Sequence, residues 1–176
     1  GSGGALQATR SATVTVAAKS SLTLTADQFM ALTDLDGTFT SVLTEKTVIN
    51  ITGLTQAHIK AGFTLAGVSN ATGTVSLAGD VNLGATTSLN GFTVNLAEGQ
   101  TLGLATAVQA EGQKVVGAAN TTVNLLFSTI VGTPGLDIDV SGFNVDKLRF
   151  LDSLVANTNI DDVFDGLLPR VEKVVY

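Results

Sequence analysis

The sequence predicts an all-β fold: a short parallel β-solenoid (β-helix) with a small helical element near the C-terminus. Three observations carry that prediction. Polar and apolar residues alternate over short stretches, as in TVTV at 13–16 and LTLT at 22–25, the period of two that marks a strand. Gly, Asn or Asp interrupts these stretches every few residues, which ends strands in turns. One strand core also recurs, as TVSL at 74–77 and TVNL at 93–96 and 122–125, with steps of 19 and 29 residues. Degenerate coils of roughly 20–30 residues are the sequence form of a solenoid, in which each coil buries its face only against its neighbours.

The elements follow in order. Residues 1–12 begin with GSG and read as an expression scar and linker. Residues 13–176 read as a single β-rich repeat domain, with a solenoid core over 38–127 and a strand–helix–strand tail over 136–176. Two alternating strands fill 13–25. DQFMAL at 27–32 has no Gly, Pro or β-branched residue and fits one helical turn, and TDLDG at 33–37 reads as a turn. TFTSVL (38–43) and TVINITGL (47–54) are strands, and TQAHIKAG (55–62) is a short helix or corner stopped by Gly62. Strand candidates then run through FTLAGV (63–68), TGTVSLAG (72–79), DVNLG (80–84), LNGFTVNLAEG (89–99), QTLGLAT (100–106), KVVGAAN (114–120) and TTVNLLF (121–127). LDIDVSGF (136–143) reads as strand and turn. VDKLRFLDSLVANTN (145–159) gives the strongest helical pattern, with Leu148, Leu151, Leu154 and Val155 on one face and Asn144 placed to cap it. IDDVFDGLL (160–168) reads as a second short helix, and VEKVVY (171–176) as a closing strand or an assembly edge.

Composition narrows function. The 176 residues are 44% hydrophobic but only 5% aromatic and 14% charged, so the apolar mass is aliphatic and the chain is no disordered polyelectrolyte. A net charge of −6, with nine Lys and Arg spread thinly, argues against nucleic acid. There is no Cys, hence no disulfide or thiolate chemistry. No run of 18 apolar residues predicts a transmembrane segment. Without aromatic platforms, a glycan site would rest on Asn and Asp alone.

The stretches LTLTADQ (22–28) and LGLATAVQAEG (102–112) each run from a Leu-x-Leu strand into small residues and Gln. They resemble the strand–Gln repeats of very large secreted bacterial repeat proteins, surface-layer-like proteins and type I secreted adhesins. The run from DVSGFNVDKLRFLDSLV to LLPRVEKVVY resembles the joints in such chains. The resemblance implies an extracellular or bacterial cell-surface location and a structural or adhesive role, as spacer or assembly element. The implied partners are neighbouring repeats or subunits joined through open β-edges, with a surface glycan or protein as further candidates.

Candidate chemistry is sparse. Asp137 and Asp139, followed by Ser141 and Gly142, match the first half of a calcium loop, but Leu148 stands where a bidentate Glu belongs. Asp34 and Asp36 form a D-x-D-G turn, a weaker calcium candidate whose plainer reading is an Asx-rich turn. Calcium is the one cofactor these residues point to. Asp161, Asp162 and Asp165 read as charges favouring a helix N-terminus. His58 is the only histidine and has no nucleophile motif beside it, so the sequence predicts no enzyme. The Thr pairs 13/15, 23/25 and 38/40 do not recur coil after coil as an ice-binding face requires. A calcium-dependent or glycan-binding adhesin domain is the first alternative, and a β-helical polysaccharide-active enzyme the second.

Overall fold

A computed structural model describes residues 20–34, 47–68, 71–127, 138–150, 164–165 and 172–175. Where the described chain alternates it forms strands, and every pairing is parallel. The first sheet has six strands in the order β1 (Ser21–Thr25), β2 (Thr47–Leu54), β3 (Ala71–Leu77), β5 (Thr93–Leu96), β7 (Val115–Gly117) and β10 (Phe143–Asn144). The second has five: β4 (Val81–Asn82), β6 (Thr101–Leu104), β8 (Thr122–Leu125), β11 (Lys147–Phe150) and β13 (Glu172–Val175). β9 (Ile138–Asp139) and β12 (Phe164–Asp165) pair separately. Three helices complete the described elements: α1 (Ala26–Asp34), α2 (Gln56–Lys60) and α3 (Ala107–Ala110).

From β3 to β8 the chain visits the two large sheets in turn. Register then stacks like on like. Ile51, Val75, Val94, Val115 and Phe143 form one buried column of the first sheet. Val81, Leu102, Val123 and Leu148 form another in the second. Both columns belong to one continuous core, and each such side chain contributes about 1.5–3 kcal/mol by leaving water. Several residues between them are polar: Asn50, for example, accepts a hydrogen bond from Thr74 Oγ1 at 2.9 Å, while Val116 is apolar and exposed.

The helices are short, and α2 and α3 are closed at both ends. α2 stops in a Schellman turn, with Phe63 N–H donating to His58 O at 3.0 Å and Gly62 N–H to Ile59 O at 3.1 Å. Gly62 takes φ +96 there, a conformation that L side chains resist. Phe63 then packs on Phe29 of α1, ring centres 5.4 Å apart and tilted by 58°.

These findings overturn the expected all-β solenoid. The described residues form a mixed α/β fold, two separate parallel sheets with helices between strands, and not a closed all-β coil. The described helices lie at 26–34, 56–60 and 107–110, not near the C-terminus. Lys147–Phe150, expected to be helical, is strand β11, because Leu148 and Phe150 point inward between β8 and β13 while Lys147 is exposed. Residues 151–159 lie outside the described residues. Asn144 belongs to β10 rather than to a cap, and Phe164–Asp165 to a strand rather than a second helix. FTLAGV at 63–68 is a turn whose Phe63, Leu65 and Val68 are buried. Thr33 and Asp34 end α1 rather than open a turn. The stretches 13–19 and 38–43 lie outside the described residues.

Candidate functional site

The strand–Gln stretches are capping boxes. Thr25 N–H donates to Gln28 Oε1 at 3.0 Å, and Gln28 N–H to Thr25 Oγ1 at 3.1 Å. Thr106 N–H and Gln109 N–H make the same exchange, both at 3.2 Å. Each box satisfies two amide donors that a helix start leaves open. In α2 a histidine takes the glutamine's place: Thr55 N–H donates to His58 Nδ1 at 3.0 Å. Because Nδ1 accepts there, the ring proton sits on Nε2, which donates to Asp27 Oδ1 at 2.9 Å. Thr55 Oγ1 lies 2.8 Å from Nδ1, but Thr55 N–H shares that lone pair. None of these three residues lines the cleft described next.

A cleft of about 520 Å³ opens between the turn 85–91 and α3. Gln109 is its strut. Its Oε1 accepts the Ala105 N–H at 2.7 Å, and its Nε2 donates to Gly84 O and Thr87 O at 2.7 and 2.8 Å. Gln113, 6% exposed, donates from Nε2 to Phe92 O at 2.7 Å. The Nε2 groups of both amides are thus spent on main chain. Ser88, Val108 and Glu111 remain on the walls, with Val108 87% exposed.

Glu111 brings the cleft to β9. Its Oε2 accepts the Asp139 N–H at 2.8 Å. Asp139 Oδ1 in turn accepts the Ser141 N–H at 2.9 Å. Hydrogen bonds from the Ser141 side chain and then its backbone hold the Asp139 carboxyl below the usual carboxylate range. The structure therefore places Asp139 beside Glu111, a neighbour 28 residues away that the sequence did not single out. Asp137 and Asp36 lie outside the described residues, and Asp34 is the last residue of α1. No group of three or more His, Cys, Asp or Glu gathers at one point among the described residues. None of the described helices is long and apolar enough to cross a membrane.

The sheet edges are the other candidate. Val48 N–H donates to Ser20 O at 3.1 Å. In a parallel ladder alternate residues face opposite sides, so Ser21, Thr23 and Thr25 turn their main-chain groups away from β2. Gln28 takes the Thr25 N–H. Among the described residues no strand pairs with this edge at Ser21 and Thr23. No family model, curated protein or solved structure matches the chain.

Proposed function

We propose that the chain is a structural module, a spacer or adhesive element of a bacterial surface or secreted repeat protein, that assembles by adding strands at its edges. The observation that carries this reading is the β1 edge, where two exposed residues, Ser21 and Thr23, present main-chain donors and acceptors away from β2. Such an edge is a template for another strand, and the occupant is a second copy of this chain or the next repeat. Thr23→Pro tests it. Proline removes only the N–H that faces outward, and edge strands tolerate it. Light scattering should show concentration-dependent assembly of the native chain and its loss in Thr23→Pro at unchanged far-ultraviolet circular dichroism. A native chain that stays monomeric at millimolar concentration overturns the reading.

A calcium-dependent binding module is the second reading, supported by the adjacency of Glu111 and Asp139. It predicts that millimolar calcium raises the melting temperature and that Glu111→Gln abolishes the rise. A melting curve indifferent to calcium removes it.

A further inference from the structure

The second sheet ends differently from the first. β4 pairs with β6 on one side, where Leu83 N–H donates to Gly103 O at 2.8 Å. Successive residues of a parallel ladder face opposite ways, so Asn82 carries its N–H and C=O toward the open side. Gln56 of α2 meets both groups. Its Nε2 donates to Asn82 O at 3.0 Å, and its Oε1 accepts the Asn82 N–H at 2.7 Å. A glutamine amide has the same donor and acceptor as a peptide unit, so it fills the one rung that this short strand offers. Gln56 is also held in place. α2 is fixed at its start by the Thr55–His58 box, at its end by the Schellman turn, and sideways by His58 on Asp27.

We propose that Gln56 is a built-in edge plug. It occupies the β4 edge and keeps that edge from accepting a strand of a second copy, so that assembly at this end of the molecule runs through β1 alone. The inference rests on the reading of the chain as an edge-assembling module. It explains why two neighbouring edges differ: Asn82 is satisfied by a side chain, whereas Ser21 and Thr23 are met by no strand among the described residues.

The test combines amide hydrogen exchange with light scattering on the full chain. In Gln56→Ala the Asn82 amide should exchange at least tenfold faster than in the native chain, while the Leu83 amide, bonded to Gly103, keeps its rate. Gln56→Met keeps the side chain's length and helix preference but neither polar atom, and must behave alike if folding is intact. In the Thr23→Pro background, where the β1 edge is closed, adding Gln56→Ala should restore concentration-dependent association. An Asn82 exchange rate that does not change overturns the plug. So does a double variant that stays monomeric with Asn82 exchanging fast. Continued assembly of Thr23→Pro alone instead sinks the β1 reading, and the Asn82 exchange rate then still decides the plug by itself.

Discussion

Truncating Gln109 to Ala should cost more than its half-exposed position implies. Four main-chain groups lose their partner at once: the N–H groups of Ala105 and Thr106, and the carbonyls of Gly84 and Thr87. At a net of about 0.5–1.5 kcal/mol per bond the loss spans about 2–6 kcal/mol. The cleft admits water to some of these groups, which places the expected value at the lower end, about 2–3 kcal/mol. For a chain of this size each kcal/mol moves the melting temperature by about 2–4 °C, so a drop of about 4–12 °C should appear in calorimetry. Gln109→Glu sharpens the reasoning. Its carboxylate keeps the two acceptor bonds but turns a second oxygen toward two carbonyls. It should be at least as damaging as Ala at neutral pH and recover partly on acidification, when the carboxyl regains a donor. A Gln109→Ala variant within about 0.5 kcal/mol of the native chain refutes the strut, because that is the range of surface substitutions away from such features.

Three other outcomes are expected. Gly73→Ala should destabilise by about 1–3 kcal/mol in urea titrations, because its Cβ would stand 1.7 Å from the Ile49 carbonyl oxygen across the β2–β3 ladder; strand preference alone predicts the opposite sign. His58→Ala should lose about 1 kcal/mol with the open Thr55 N–H, and His58→Gln, which rebuilds the box of Gln28 and Gln109, should regain most of it in thermal melts. Asp139 has a lowered folded pKa, so its contribution is present above the unfolded carboxylate range and fades as pH falls through the folded value. Asp139→Asn should lack that acid-dependent component, which a comparison of the two stability–pH profiles reads directly.

How much of this was legible in the sequence depends on the reach of each pattern. The 19-residue step between TVSL and TVNL is real: Thr74, Val75 and Ser76 pair with Thr93, Val94 and Asn95. The 29-residue step is not, since TVNL at 122–125 lies in the other sheet, against Thr101–Leu104. Alternation tells which side chains go inward but not which sheet a strand joins. The helical pattern misled at Lys147–Phe150 for a related reason. Leu148 and Phe150 also satisfy a period of two, and two waiting strands decide between the periods. The T-x-x-Q spacing was visible and is a capping signal, yet the far ends of the same glutamines were not. Gln109 reaches a carbonyl 25 residues back, and Gln56 a strand 26 residues ahead. The Glu111–Asp139 contact is hidden in the same way, because no local rule links residues on different layers.

That long reach also accounts for a composition that looked merely bland. Parallel strands stacked about 4.8 Å apart place equivalent corner positions almost in van der Waals contact. A charge repeated at a corner would meet its like in the next layer, which costs free energy. Yet each corner has main-chain groups to satisfy, since it leaves one sheet before entering the other. Glutamine answers both demands, being neutral and carrying a donor and an acceptor on a stem long enough to reach the adjoining layer. Gln100 shows the pattern at its simplest: Oε1 accepts the Ala97 N–H at 2.8 Å within its own turn, and Nε2 donates to Leu77 O at 3.2 Å in the layer before. Gln109 repeats it with two carbonyls of the adjoining layer, those of Gly84 and Thr87. Gln56 does the same where no strand among the described residues follows on its side of β4, and the device that ties layers together becomes the one that ends the sheet. Carboxylates serve where a single amide is open, as Asp80 does for Thr101 N–H, Asp146 for Thr121 N–H and Glu111 for Asp139 N–H; glutamine serves where a carbonyl must be met as well, since only the amide carries a donor.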